Sequence, residues 1–127
     1  MTVAEAITKA DSILPGRPAP EGQEDPRWQA IIAVGEFIEA EPEVVWRFIE
    51  RWGKHPSQDL RSAIATCLLE HLLEYHFELV FERVTRLARS SRRFAWVVTM
   101  CGRFGRTELP NNAPKFNRLL RELKHAS

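Results

Sequence analysis

The side chains best suited to chemistry crowd into one short stretch: Cys67, Glu70, His71, Glu74, Tyr75 and His76. On a helix Cys67 and His71 stand at i, i+4, and His71 and Glu74 at i, i+3. A thiol, an imidazole and a carboxylate could therefore share one face, and all three are metal-capable groups. The spacing is not that of the His-Glu-x-x-His zinc motif, and no second Glu-x-x-His helix completes a carboxylate di-metal centre. His71 also projects among Leu60, Ile64 and Cys67, the setting of a core-edge histidine bonded to a carbonyl or carboxylate. The expectation is no metal and no cofactor, with a metal-dependent helical enzyme around His71 as a third-ranked alternative. Glu70 and Glu74 are expected to line a solvent-facing groove as a polar strip, or to pair with arginines of a neighbouring unit.

No Gly-x-Ser-x-Gly elbow, phosphate-binding glycine loop or dinucleotide fingerprint occurs. Gly102-Arg103-Phe104-Gly105-Arg106 is glycine-rich, but it follows a helical pattern and reads as a helix end with a turn. The charge, by contrast, is unevenly distributed. Residues 1–82 hold 15 Asp/Glu and 7 Lys/Arg, whereas residues 83–127 hold 2 Asp/Glu and 11 Lys/Arg, all within a net +1. The basic half predicts a positive surface made of Arg83, Arg86, Arg89, Arg93, Arg118, Arg121 and Lys124. Arginine predominates, and its planar fork suits phosphate and carboxylate partners. The competing expectation is a solvated helix face, helped by an i, i+4 pair between Glu82 and Arg86.

The elements that carry these residues are all helical. Residues 3–14 show a weak stripe (Val3, Ile7, Ala10, Leu14), followed by a proline- and glycine-rich linker to Asp25. Asp25-Pro26 opens the first body helix, about 26–40, with Asp25 as cap and Pro26 at the first position. Pro42 breaks it and opens a second, about 42–52, capped by Gly53. A third, about 57–75, starts at Ser57. A fourth, about 77–89, carries the stripe Phe77, Val80, Phe81, Val84, Leu87 and Ala88. A fifth covers about 91–104 and ends at Gly102 or Gly105. A sixth carries Phe116, Leu119, Leu120 and Leu123. The expected division is an N-terminal helix and linker (1–25) and one helical domain (26–127).

The first, third and fifth body helices are apolar nearly all round, and the second, fourth and sixth are apolar on one side. Stacked two-helix units produce that alternation, because inner helices are covered on several sides. Shifting the first body helix by 34 residues sets Arg27 on Arg61, Glu36 on Glu70 and Ile38 on Leu72. Shifting the third by 32 sets Arg61 on Arg93 and Ala63 on Ala95. A period in the low-to-mid thirties belongs to helical-hairpin repeats. Over residues 26–125 the chain resembles the HEAT-like α-solenoid family in layout. That resemblance implies an all-α fold of antiparallel hairpins stacked as a short solenoid, the alternative being an irregular helical bundle.

Solenoids of this kind present extended binding surfaces. The expected function is a non-catalytic interaction module that binds a protein partner through charged groove surfaces. The alternative is a nucleic-acid-binding protein using the arginine-rich half. HEAT-like alkylation-repair glycosylases are the relevant analogy, but their cleft Asp has no counterpart: Asp25 and Asp59 read as helix-start residues. Trp28, Trp46, Trp52 and Trp96 are expected in the core, with Trp28 and Trp46 as possible interface anchors. No apolar run is long enough to span a bilayer and no basic n-region opens the chain, so a cytoplasmic location is expected. Cys67 and Cys101 are expected to be buried, reduced and unpaired.

Overall fold

The computed structural model describes residues 1–126, so Ser127, the end of the expected domain, lies outside the described residues. The fold is all-α, with no strand among those residues. Seven α-helices follow in order: α1 Val3–Ile13, α2 Pro26–Gly35, α3 Pro42–Trp52, α4 Gln58–Ala63, α5 Glu70–Ser90, α6 Arg92–Thr99 and α7 Ala113–Ala126. A π-helical turn, Ile64–Leu69, joins α4 to α5, and a 3₁₀ turn, Gly105–Glu108, precedes α7.

Local chemistry sets the helix starts. Thr2 and Glu5 form a capping box at α1, with reciprocal bonds of 3.2 and 3.0 Å. Asp25 accepts the Arg27 amide at 2.9 Å, and Pro26 occupies the first position of α2. Ser57 and Ser91 accept the amides of Leu60 and Phe94 at 3.3 and 3.2 Å. Gly53 ends α3, donating its amide to the Ile49 carbonyl.

Two expected helices are shorter than their periodicity suggests. α2 stops at Gly35 instead of residue 40; a run of i→i+3 bonds follows, with Phe37 donating to Val34 and Ile38 to Gly35. α6 stops at Thr99 instead of residue 104. There the Gly102 amide donates to Glu70 Oε1 at 2.8 Å, so a carboxylate 32 residues away takes the donor that would have extended the helix. The break expected at residue 76 survives as a kink within α5: His76 has φ −136° and ψ 37°, and its Nε2 lies 3.1 Å from the Glu39 carbonyl oxygen.

The stretch from α4 through the π turn into early α5 is the centre of the core. Leu60, Ala63, Ile64, Ala65, Leu68, Leu69, Leu72 and Leu73 are all buried, and they cover most of the helix circumference. Around it pack α2, α3 and α6, while α7 packs on α5 and α6. α1 packs on α2 and adds Ala6, Ala10 and Leu14 to the same core. The starts of α2, α4 and α6 fall at residues 26, 58 and 92. Among the described residues, every long-range hydrogen bond that involves a side chain spans 28 to 41 positions. Each segment thus reaches about one helical hairpin along the chain.

Candidate functional site

The polar stretch at residues 66–75 does meet a groove, though not in the manner expected. α2 lies tightly on the π turn because Gly35 has no side chain: a Cβ there would stand 3.2 Å from the Cys67 carbonyl oxygen and 3.4 Å from Leu68 Cδ2. Beside this contact opens a groove of about 490 Å³. Ile32 and Gly35 of α2 with Glu36, Ile38 and Glu39 of the turn after it form one wall; Thr66 and Cys67 of the π turn and His71 and Tyr75 of α5 form the other. The π turn itself supplies Thr66 and Cys67, and the start of α5 adds His71 and Tyr75. Ile32 and Tyr75 are 45% exposed on its flanks.

His71 meets three neighbours, with its side chain 41% exposed. Its Nδ1 lies 2.8 Å from Glu74 Oε1, its Nε2 lies 3.6 Å from Glu70 Oε2, and its ring stacks on Phe104 with centroids 5.9 Å apart. The expected histidine–carboxylate contact is therefore present. The expected pairing of Glu70 and Glu74 with arginines is not: Glu70 holds the Gly102 amide, and Glu74 holds His71. The reason is the 101–105 loop, which folds over α5. Gly105 has φ +50°, and a Cβ there would come within 2.7 Å of Glu74 Cγ and 2.8 Å of the Glu74 carbonyl oxygen.

These contacts direct the chemistry. Glu74 takes Nδ1 in a hydrogen bond, whereas Nε2, 3.6 Å from Glu70 Oε2, lies beyond hydrogen-bond distance on a side chain that is 41% exposed. Burial pushes the Cys67 thiol above its ordinary range, and the negative charge of Glu70 adds to that effect, so the sulfur stays a thiol. Among the described residues, no three His, Cys, Asp or Glu side chains group to hold a metal ion. Cys67 and Cys101 are both free; Cys101 Sγ turns inward, 3.4 Å from the Val97 and 3.7 Å from the Ala65 carbonyl oxygens.

The expected basic surface is divided. Arg83 is fixed by Glu43 through bonds of 2.7 and 2.6 Å, and Arg89 by Glu122 through bonds of 2.7 and 2.9 Å. Arg106, outside the expected set, is fixed by Glu78 at 2.7 Å, with Asn112 supporting the carboxylate at 2.9 Å. Arg106 and Asn112 together hold the Glu78 carboxyl down to about 2. Arg86, Arg118 and Arg121 are exposed and form no ion pair among the described residues, and the expected Glu82–Arg86 pair does not form. Lys124 is exposed on the last turns of α7. Arg93 lies elsewhere, beside Arg61 at the start of α6. Thus part of the acidic half neutralises part of the basic half within one chain.

Two features escape a linear reading. Arg27 is buried between Asp25 and Asp59, each 3.1 Å away, and Asp59 also accepts the Trp28 indole at 3.1 Å. Asp59 is thus a tie between helices as well as a helix-start residue. The groove wall Ile32, Glu36 and Glu39 is the second. Adjacent Ile31 and Ile32 cannot both face the core, and that was the available signal. Of the tryptophans, Trp46 is buried edge-on against Phe94, and Trp52 donates its indole to Asp11 at 2.8 Å.

Residues 17–108 match a family described as a family of unknown function, a span that takes in α2 through the 3₁₀ turn. No curated protein and no solved structure matches the chain. No helix among the described residues is long and apolar enough to cross a membrane.

Proposed function

We propose that this chain, which belongs to the DUF6869 family of unknown function, is a non-catalytic helical-repeat interaction module whose α2–π-turn groove binds a protein partner. The observation that carries this reading is the composition of the groove. Ile32 and Tyr75 offer apolar and aromatic surface, while Glu36 and Glu39 stand beside them with no ion pair among the described residues. Elsewhere Asp11, Glu43, Asp59, Glu78 and Glu122 each hold an arginine across the fold. The occupant that complements this wall is a segment with an aliphatic side chain next to a lysine or arginine. The aliphatic group would cover Ile32, and the cation would meet the two carboxylates and the Tyr75 ring. The short reach of the side-chain contacts and the spacing of α2, α4 and α6 support the HEAT-like layout over an irregular bundle. Two free thiols accord with a reducing, cytoplasmic setting.

The test is a photo-crosslinking residue at position 75 in the otherwise native chain. A discrete protein adduct that disappears with Ile32→Glu supports the reading. An adduct pattern unchanged by Ile32→Glu removes it.

A second reading, nucleic-acid binding through the arginine-rich half, is favoured by the exposed Arg86, Arg118 and Arg121, which meet no carboxylate among the described residues. Duplex DNA binding should then weaken steeply between low and moderate salt, by about 10³-fold or more if six or more phosphates are engaged. Absence of any salt-sensitive binding would exclude it.

A further inference from the structure

We propose that Arg61, Arg93 and His55 form a binding site for a phosphate-class oxyanion where the loop before α4 meets the start of α6. This site is separate from the groove and does not depend on it. Three chain segments supply it: the 53–57 turn, α4 and α6. Arg93 Nη1 lies 3.5 Å from the Lys54 carbonyl oxygen, and Arg61 Nη1 lies 3.5 Å from the Arg93 carbonyl oxygen. These long bonds place both guanidinium groups at one edge without using up their donors.

The Arg61 guanidinium lies 4.9 Å over the Trp96 ring, which fixes its plane. Its Nε is buried and has no hydrogen-bond partner. A buried donor left open in this way is costly unless something accepts from it. His55 Nδ1 accepts the Ser57 amide at 3.0 Å, so in the neutral ring the proton sits on Nε2, which is a donor.

Charge completes the case. Among the described residues neither Arg61 nor Arg93 meets a carboxylate, in contrast to Arg27, Arg51, Arg83, Arg89 and Arg106. Asp59, two residues before Arg61, is held by Arg27 and Trp28 instead. Burial is the main cause that holds His55 below its ordinary range, and the charges of Arg27, Arg93 and Arg61 add to it. Arginine forks match the oxygens of phosphate, and a divalent anion would offset two unpaired guanidinium charges at once.

Inorganic phosphate is the probe, added at constant ionic strength and followed by ¹H–¹⁵N NMR on the full chain. The expected result is saturable shifts centred on His55, Arg61 and Arg93. The His55 titration midpoint should rise with phosphate present, because the anion favours the imidazolium. Arg93→Gln, an exposed position, should weaken binding about tenfold or more, the loss of one charge-assisted contact. Arg118→Gln should leave it unchanged. Competition with a short single-stranded oligonucleotide separates the sources: displacement with steep salt dependence assigns the phosphate to a nucleic-acid backbone, and no displacement assigns it to a free oxyanion. Linear, non-saturating shifts across the surface, or wild-type affinity in Arg93→Gln, would overturn the site.

Discussion

Arg27 Nη2 stands 3.1 Å from Asp59 Oδ2, so a buried guanidinium on α2 ties the first body helix to the start of the next hairpin. Arg27 is only 4% exposed, while the Asp59 side chain is 55% exposed and can rehydrate. Arg27→Met should therefore cost about 1–3 kcal/mol, less than the loss of one partner from a fully buried pair. Urea unfolding with an unchanged slope checks it; an unchanged midpoint would show that the tie adds nothing.

The buried centre should be more sensitive. Ile64 and Leu68 lie in the π turn with no exposed surface. Each change to Ala should cost about 2–5 kcal/mol, from lost burial and the cavity left behind. Thermal melts of both variants at wild-type temperature would contradict this packing.

Gly105→Ala should loosen the 101–105 loop. Its φ of +50° disfavours a side chain, and the added Cβ would press on Glu74 Cγ and the Glu74 carbonyl oxygen. A loss of about 1–3 kcal/mol is expected from the combined strain. Increased amide exchange at Gly102 and Phe104 should accompany it; protection equal to wild type would count against the clamp.

Acid should weaken the Glu78–Arg106 tie in a defined window. The folded carboxyl is depressed to about 2 from an ordinary value of 4.5, first by Arg106 and then by Asn112. Its stabilising effect is full above the ordinary carboxylate range and is lost as pH falls through about 2. Because the pair is half exposed, the effect is modest. Comparing Glu78→Gln with wild type from pH 6 to 2 should show the difference shrinking towards zero; a constant difference would refute it.

Native thiol labelling should find Cys101 protected and Cys67 slow, since burial raises both thiols, Cys101 well above its ordinary range. Denatured, unreduced protein should give two reactive groups. Fast labelling of Cys101 in the native state would show that its sulfur does not face the Val97 and Ala65 carbonyls.

The sequence revealed most where neighbours decide the outcome. Asp25, Ser57 and Pro42 mark helix starts because capping and proline geometry act within a few residues. Helix ends at Gly35 and Thr99 were hidden, since the second depends on Glu70 reaching Gly102 across the fold. The π turn was hidden for the same kind of reason: Ile64–Leu69 is plain apolar sequence, and nothing local distinguishes it from α-helix. Arginine positions were legible, but their neutralisation was not. Glu43 reaches Arg83 over 40 residues and Glu122 reaches Arg89 over 33. The groove lay half in view: His71 and Cys67 stood out, whereas Ile32, Glu36 and Glu39 were absorbed into a helix that looked wholly internal.

Two charge-reversed proteins compared against the partner captured at the groove test the central proposal most directly. Glu36→Lys with Glu39→Lys alters the groove wall; Arg118→Glu with Arg121→Glu alters the exposed face of α7. All four positions are exposed, so unchanged far-ultraviolet circular dichroism should confirm folding in both. Calorimetric titration should show binding abolished by the first pair and retained with the second. Binding retained by the groove variant and lost by the α7 variant would contradict the groove assignment and move the interaction to the basic half.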